Sequence, residues 1–272
     1  MNVPEIRAAL SDGRRVFGTL VASTAPVWPA HLRSAGLDFV FLDTEHIAIG
    51  RETLSWMCRV YAGAGLAPVV RIPAPDPFAA CGALDGGAAG VVAPYVETAG
   101  QVQALRGAVK FRPLKGRRLE RILAGQERPE PELAAYLAGR NRDHLLLVNI
   151  ESLPAVENLD AILAVPDLDG VVVGPHDLSC SLGLPERYQH PRFTEALRNI
   201  VGKARGRGLI AGVHFMGCGP VELAAEWLRL GVNLHIQHAD VYYAARGVRE
   251  DLQALRAAVG ERPAGAADSI NV

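Results

Sequence analysis

Four apolar stretches of this sequence end in side chains that can bind a cation, hold an anion or transfer a proton. The side chains at these ends are Asp43-Thr44-Glu45-His46, Arg71, Glu151 and Asp177. Each follows a run of apolar, mostly β-branched or aliphatic residues, which is typical of a strand buried on both faces. Because the ends of parallel strands meet at one mouth or edge of a sheet, we expect these groups to lie close together.

Two of these side chains are carboxylates. Glu151 follows LLLVNI and Asp177 follows GVVVGPH, so they would lie at the ends of neighbouring strands. A pair of carboxylates leaves coordination positions for water and substrate oxygens, which suits Mg²⁺, Mn²⁺ or a similar divalent ion. Taken singly, each residue could instead be a cap or a first-turn acid of the helix that follows.

Arg71 and His46 are the candidates for handling negative charge and protons. Arg71 closes the apolar run APVV, where a guanidinium is costly unless it meets an anion. It could bind a substrate carboxylate or stabilise an oxyanion, and the alternative is an internal ion pair with Glu45 or another acid. His46 lies three residues after Asp43, and an aspartate bonded to a histidine raises its basicity and fixes its tautomer. His46 is therefore a candidate general base, although a lone histidine at a loop start is more often a surface residue.

The elements that must position these groups alternate regularly along the chain. Eight apolar runs are separated by amphipathic stretches that predict helices, such as 51–64, 154–164, 191–207, 220–230 and 239–259. The runs are 16–21, 39–43, 68–72, 90–96, 145–150, 170–173, 210–215 and 234–237. This pattern predicts an α/β protein with a single-domain TIM (β/α)₈ barrel over residues 1–260. Two small domains are the alternative on length alone, and an open doubly wound sheet is the alternative topology, but no GxGxxG follows the first run.

One stretch, 112–143, interrupts this alternation between the fourth and fifth runs. It is rich in basic residues, among them Lys115, Arg117, Arg118, Arg121 and Arg128. Long connections on compact barrels are more often functional segments or insertions than linkers. The stretch is either a loop over the active site or a solvated surface excursion with a short helix over 131–139. The last residues, 261–272, are expected to form a disordered tail.

The composition excludes several classes of protein. The 272 residues include 28 Lys or Arg and 29 Asp or Glu, so the chain lacks the positive excess that nucleic-acid phosphates require. No apolar run reaches the roughly 18 to 20 residues of a membrane-spanning helix. Glu5 falls where a signal peptide would be apolar, and the four cysteines form no CxxC pair. The sequence thus predicts a cytoplasmic protein that binds neither nucleic acid nor membrane.

Four strings in the sequence carry a family resemblance. In chain order they are FLDTEHIAIGRETL, PVVRIP, VNIES and GPHDLSCSLG. Together they resemble the HpcH/HpaI aldolase family of metal-dependent (class II) pyruvate aldolases, typified by 4-hydroxy-2-oxoheptanedioate aldolase. The resemblance extends from Gly18 to Ala257.

The resemblance implies roles for the residues at the strand ends. Glu151 and Asp177 would bind the divalent ion, which could be Mg²⁺, Mn²⁺, Co²⁺ or another divalent ion. His46, paired with Asp43, would act as the acid/base through a water beside the ion, and Arg71 would stabilise an enolate. The remaining substrate-binding positions would be Asn149, where the family often has glutamine, and the backbone around Gly174, Pro175 and His176. Candidates for the pocket of the acceptor are Arg117 or Arg118, together with His214 and Phe215.

The implied reaction is reversible aldol cleavage of a 4-hydroxy-2-oxo acid into pyruvate, or a related 2-oxo acid, and an aldehyde. A Schiff-base mechanism would need a lysine at a strand end, whereas Lys110, Lys115 and Lys203 fall in helical or loop contexts. One alternative is decarboxylation of oxaloacetate with carbon–carbon bond formation, as in the macrophomate synthase branch of the family. Another is a barrel that binds a 2-oxo acid without turnover. The resemblance also implies a homo-oligomer built from dimers, or a hexamer.

Overall fold

The computed structural model of the chain describes residues 1–261, which contain eight parallel strands closed into a barrel. Each strand pairs with the next in sequence, and the last pairs with the first. The strands are β1 (Val16–Val21), β2 (Phe39–Asp43), β3 (Ala67–Arg71), β4 (Gly90–Ala93), β5 (Leu145–Ile150), β6 (Gly170–Val173), β7 (Ile210–Phe215) and β8 (Leu234–Ala239). The predicted TIM (β/α)₈ barrel is confirmed, and the tail predicted to be disordered falls outside the described residues except for Glu261.

Helices connect the strands on the outside of the barrel. In chain order they are α1 (Val3–Ser11), α2 (Trp28–Ser34), α3 (Arg51–Gly63), α4 (Pro77–Gly86), α5 (Ala99–Lys110), α6 (Gly116–Leu123), α7 (Pro131–Asn141), α8 (Leu153–Glu157), α9 (Leu159–Leu163), α10 (Pro175–Ser181), α11 (Pro191–Gly206), α12 (Val221–Arg229) and α13 (Asp240–Ala258). The single helix predicted over 154–164 is divided at Asn158 into α8 and α9. Within residues 1–261, none of these helices has both the length and the apolar character needed to cross a membrane. All four cysteines are free thiols.

Side chains alternate along each strand between two apolar layers. On β2, Phe39 and Phe41 point into the barrel, whereas Val40 and Leu42 pack outward against the helices. The ring of Phe39 fits because β1 carries Gly18 opposite it, where a Cβ would lie 2.6 Å from the ring. The interior below the mouth is therefore filled by side chains, as in other closed eight-stranded barrels.

Helix α1 covers the end of the barrel opposite the mouth. Its buried residues Val3, Ile6 and Ala9 belong to the same apolar cluster as the inward side chains of the strands. Asn2 caps the helix and Glu5 bonds back to the Asn2 backbone, a capping box that fixes where the helix begins. The mouth formed by the carboxyl ends of the strands is consequently the open end.

The basic stretch 112–143 forms α6 and α7 beside the barrel. Leu119 and Leu123 of α6 pack on Gly107 of α5, where a Cβ would lie 2.8 Å from Leu123. Asn141, the last residue of α7, donates to the Arg112 carbonyl at 2.8 Å and ties the two ends of the stretch together. The structure therefore supports the surface excursion rather than a loop over the active site, and the short helix predicted over 131–139 is α7.

Candidate active site

The carboxylates of Glu151 and Asp177 approach the same point at the mouth of the barrel. Glu151 directly follows β5, and Asp177 lies in the first turn of α10. A Cβ placed on Gly174 would lie 2.8 Å from Glu151 Oε2 and 3.5 Å from Asp177 Oδ2. The two carboxylates line a cavity of about 340 Å³ together with Tyr95, Glu97 and Ser152. Glycine at position 174 thus leaves the space between them open.

The surroundings of Glu151 fit a bound cation. Its carboxylate accepts hydrogen bonds from the Tyr95 backbone N–H and from Asn149 Nδ2, both at 2.7 Å. Burial, with the nearby charge of Asp177 in addition, raises the pKa of Glu151 above its ordinary value. Asn149 is buried, and its Oδ1 has no hydrogen-bond partner within the described chain. A hard divalent ion with its water ligands would offset the charge of the pair and offer a donor to this oxygen.

The expected ion site is open rather than closed. Within residues 1–261, no three histidine, cysteine, aspartate or glutamate side chains converge as they would around an ion held by the protein alone. Two carboxylates beside a cavity instead match the arrangement that keeps coordination positions for water and substrate. The residues present therefore fit the divalent ion that the sequence suggested.

Arg71 is held by two carboxylates at the end of β3. Its Nε and Nη2 donate to Asp43 Oδ1 and Oδ2 at 2.8 and 2.6 Å, and its Nε lies 3.1 Å from Glu45 Oε2. Burial alone would raise the pKa of Asp43, but the hydrogen bonds and charge of Arg71 outweigh it and the pKa is lowered. The internal ion pair with Glu45 considered from the sequence is present, but Asp43 makes the bidentate contact. The guanidinium is therefore fixed in orientation beside the site.

The expected pair between Asp43 and His46 is not what the structure contains. Both Asp43 oxygens bond to Arg71, and Oδ1 also accepts from the Glu45 backbone N–H at 3.0 Å. His46 instead lies with its Nε2 3.6 Å from Glu45 Oε1, and its side chain is 57% exposed. The physical reason is that an unpaired guanidinium is costly when buried, whereas an exposed imidazole is solvated by water, so the nearest carboxylate pairs with Arg71. Glu45 becomes the residue that links His46 to Arg71.

The two residues at the end of β7 point in opposite directions. His214 faces the interior, with its ring centroid 5.3 Å from that of Phe41. Burial, reinforced by the charge of Arg71, lowers the pKa of His214 to about 3, so the imidazole is neutral at pH 7. Phe215 is fully buried on the outer face of the barrel, and its ring centroid lies 5.2 Å from that of Trp227 on α12. The expectation that Phe215 shapes the acceptor pocket is therefore wrong, because strand alternation places it in the outer core.

The arginines expected in the acceptor pocket lie elsewhere. Arg118 of α6 forms ion pairs with Glu127 and Glu130 at 2.8 and 2.6 Å. Arg117, also on α6, is exposed, and neither arginine lines the cavity. The placement of α6 on α5 accounts for this difference from the expectation.

The backbone expected to hold a carboxylate begins α10 directly beside the carboxylate pair. Gly174 is the N-cap of α10, and Pro175 and His176 open its first turn. The imidazole of His176 is exposed and lies 3.8 Å from Glu186. At this position it is therefore the backbone, rather than the imidazole, that is suited to binding substrate.

Tyr95 and Glu97 line the cavity but were not predicted from the sequence. The fourth strand was predicted to extend through residue 96, whereas β4 ends at Ala93. Pro94 was the available signal, because proline lacks the N–H that a central strand donates. The Glu45 carboxylate beside the phenol raises the pKa of Tyr95 to about 12.

The chain is similar to known proteins over most of its length. The HpcH/HpaI aldolase/citrate lyase family matches residues 17–244. A 2-keto-3-deoxy-L-rhamnonate aldolase of Salmonella gallinarum is 31% identical over 227 residues, 84% of each chain. A hydroxypyruvate/pyruvate aldolase of Roseovarius nubinhibens is 28% identical over 250 residues, 92% of this chain and 96% of that one. The crystal structure of macrophomate synthase is 25% identical with a TM-score of 0.76, covering 95% of this chain and 90% of that chain.

The matched region contains nearly the whole barrel and every residue of the candidate site described above. The named relatives are aldolases. The chain therefore belongs to the HpcH/HpaI aldolase/citrate lyase family and is a carbon–carbon lyase.

Proposed function

We propose that the protein is a metal-dependent class II aldolase that reversibly cleaves a 4-hydroxy-2-oxo acid into pyruvate, or a related 2-oxo acid, and an aldehyde. The observation that carries this proposal is the approach of Glu151 and Asp177 to one point beside Gly174, in a cavity at the mouth of the barrel. The names of the relatives support the same reaction class.

Glu151 and Asp177 are the proposed ligands of the divalent ion, with Mg²⁺ or Mn²⁺ as the first candidates. When bound, such an ion supplies Lewis-acid stabilisation of the negative charge that develops on the keto oxygen. The raised pKa of Glu151 means that this buried carboxylate is disfavoured as an anion when no cation lies beside it. Binding of the cation removes that disadvantage, so the site is adapted to its charged ligand.

The remaining groups act on the substrate itself. Asp43 and Glu45 occupy Nε and Nη2 of Arg71, which leaves Nη1 as the edge available to the substrate oxygen. The backbone of Gly174, Pro175 and His176 is the proposed site of the substrate carboxylate.

His46 is the proposed acid/base. In cleavage, it accepts the proton of the C4 hydroxyl as the C3–C4 bond breaks and the electrons move to the C2 oxygen. A proton is then returned to C3 to give the 2-oxo acid.

Oxaloacetate decarboxylation is the second candidate function. The likeness to macrophomate synthase favours it, because loss of carbon dioxide from oxaloacetate leaves the same enolate that retro-aldol cleavage leaves. The same groups would stabilise that enolate, so only the substrate tested separates the two reactions.

The test of the proposed function measures enolate formation and pyruvate release. The protein is incubated with pyruvate in D₂O, and deuterium entering the methyl group is followed by NMR with and without EDTA. Pyruvate release is assayed in parallel on a panel of 4-hydroxy-2-oxo acids and on oxaloacetate. We expect divalent ions to be required in every case, and Glu151→Ala or Asp177→Ala to abolish turnover. Activity that persists after complete removal of metal ions would overturn the proposal.

We also propose that the protein is a homo-oligomer whose contacts include α13. The residue of α13 that is buried in the single chain is Asp240 at its start. Val248, Leu252, Leu255 and Val259 recur at helical spacing on one face, and each is between 47% and 71% exposed. A contiguous exposed apolar stripe of this kind marks a surface that another protein covers.

A further inference from the structure

Tyr95 is held over the cavity by a backbone conformation that is unusual for an aromatic residue. Its φ is +55°, in the left-handed region that bulky side chains seldom adopt. Its N–H donates to Glu151 at 2.7 Å, its carbonyl accepts from Gln101 at 3.3 Å, and its phenol lies beside Glu45. Residues held in such conformations concentrate at ligand sites. The 56% exposed side chain thus belongs to the part of the cavity that a substrate contacts.

The walls of the cavity beyond the carboxylate pair are acidic or neutral. They consist of Tyr95, Glu97 and Ser152, and no lysine, arginine or histidine lines the cavity in the part of the chain that the structure describes. Ser152 Oγ donates to Glu97 Oε1 at 2.6 Å, which fixes this carboxylate at the wall. Arg71 does not line this cavity, and it is paired with Asp43 and Glu45. This wall offers hydrogen-bond acceptors and repels a negatively charged group.

We propose that Tyr95 and Glu97 select the aldehyde, which is an uncharged hydroxy-aldehyde, and reject an aldehyde that carries a carboxylate. Hydroxyl groups of the aldehyde donate to the Glu97 carboxylate and to the Tyr95 hydroxyl oxygen. In the condensation direction the aldehyde carbon bonds to C3 of the enolate and its oxygen takes up a proton, so these contacts are made by the C4 side of the product. The inference rests on the proposed aldolase function, because both residues act on the fragment that becomes the aldehyde.

The test compares two aldehydes that differ only in their terminal group. D-Glyceraldehyde and tartronate semialdehyde share the aldehyde and the neighbouring hydroxyl, but the second has a carboxylate in place of the terminal CH₂OH. With pyruvate and Mg²⁺, we expect kcat/KM for glyceraldehyde to exceed that for tartronate semialdehyde by about 10-fold or more. Glu97→Gln should reduce this ratio several-fold, and Glu97→Lys should reverse it. The control is Glu157→Gln, the same change on α8 outside the cavity, which should leave the ratio as it is.

A second pair of aldehydes tests the phenol. Propionaldehyde lacks the hydroxyl groups of glyceraldehyde, so it cannot use the proposed contacts. Tyr95→Phe keeps the ring and the backbone N–H, and we expect it to lower kcat/KM for glyceraldehyde relative to propionaldehyde by about 10-fold. Tyr136→Phe is the matched control, because Tyr136 lies on α7 and is similarly exposed at 52%. An unchanged ratio in Tyr95→Phe would remove Tyr95 from the proposal.

Failure of this inference and failure of the proposed function give different results. Deuterium exchange into the pyruvate methyl group, together with equal or better use of tartronate semialdehyde, would overturn the inference and leave the aldolase function standing. The inference would likewise be overturned if Glu97→Gln left the ratio of kcat/KM for glyceraldehyde to that for tartronate semialdehyde unchanged. Absence of exchange with Mg²⁺ and with Mn²⁺ would overturn both.

Discussion

Asp43 and Glu151 are buried carboxylates at the same barrel mouth, and their pKa values move in opposite directions. Asp43 bonds through both oxygens to Arg71, so its charged form is favoured despite burial. Glu151 meets only two neutral donors and the like charge of Asp177, so its charged form is disfavoured. Asp43 is therefore a structural carboxylate of the folded chain, whereas Glu151 is the carboxylate whose charge a bound cation would stabilise.

Glu151→Gln should make the ion-free protein more stable while abolishing ion-dependent turnover. A raised pKa means that ionised Glu151 destabilises the folded state once the pH exceeds the ordinary value of 4.5 and passes through the folded pKa. We expect the variant to gain about 0.5–2 kcal/mol at pH 8 in EDTA, measured by thermal unfolding, and to lose this advantage as the pH falls toward 4.5. A variant less stable than the unmodified protein at pH 8 would contradict the conclusion that burial disfavours the charge of Glu151.

Asp43→Asn should destabilise the fold, because it leaves the guanidinium of Arg71 buried with a weakened partner. Breaking a buried pair of this kind costs about 3–5 kcal/mol, which urea unfolding at pH 7 would show. The pKa of Asp43 is lowered, so its stabilisation is complete above its ordinary value and is lost as the pH falls through the folded value. The unmodified protein should thus lose stability in acid more steeply than the variant does. Similar acid sensitivity of both would show that the pair contributes little.

The identities of the charged residues could be predicted from the sequence, but their pairing could not. Strand ends identified Asp43, Arg71, Glu151 and Asp177, because a polar group closing a buried strand stands out against apolar neighbours. Whether Asp43 would bond to Arg71 or to His46 depends on which side chain is buried. Burial follows from the register of β2 and β3, in which Asp43 lies opposite Arg71, and register is not visible in either strand alone.

At the scale of elements, helices α6 and α7 change the interpretation of the basic stretch 112–143. Arg117 or Arg118 was expected in the pocket of the acceptor, yet Arg118 is paired with Glu127 and Glu130 beside the barrel. The apolar contact of Leu119 and Leu123 with α5 determines this position. The packing of α6 on α5 joins residues a dozen or more positions apart, and it could not be predicted from the charged residues alone.

Arg118→Ala should leave catalysis almost unchanged. Because the ion pairs of Arg118 are solvent-exposed, their loss should change the stability of the fold little. We expect kcat/KM for pyruvate release to stay within about twofold of the unmodified protein, whereas Arg71→Lys should be severely impaired because it loses the planar fork. A loss of tenfold or more in Arg118→Ala would return this arginine to the active site.

Element boundaries were predicted best where composition changes sharply. The strands 16–21, 39–43, 145–150, 170–173 and 210–215 were predicted with the bounds that the structure has. The fourth strand was drawn too long, because Val96 is apolar although Pro94 had already ended the pairing. As a result, Tyr95 was not predicted to lie at the site. Its backbone turns at the point where the strand was expected to continue.

At the scale of the whole molecule, α13 carries an apolar stripe that is exposed in the part of the chain that the structure describes. The side chains of this stripe lie on one face of the helix and are each between 47% and 71% exposed. Leucine and valine side chains exposed in this number favour association, since burying each would remove apolar surface from water.

Leu252→Glu should weaken self-association. A carboxylate in the middle of the apolar stripe would be buried in a contact made by that face, at a cost of several kcal/mol. We expect sedimentation to show smaller particles for the variant. Ala257→Glu adds the same charge on the opposite face of α13 and should leave the assembly intact. An unmodified protein that sediments as a monomer at micromolar concentration would contradict the proposed oligomer.

The closure of one end of the barrel by α1 and the aromatic rings of β2 has a kinetic consequence. Substrates therefore enter and leave at the mouth, where Arg71 is buried at the end of β3 and Tyr95, which follows β4, is 56% exposed. We therefore expect the aldehyde to leave before the 2-oxo acid, so that pyruvate is the last product released in a compulsory order. Pyruvate should act as a competitive inhibitor of cleavage and the aldehyde as a non-competitive one. The reverse pattern would mean that the 2-oxo acid has a second route out.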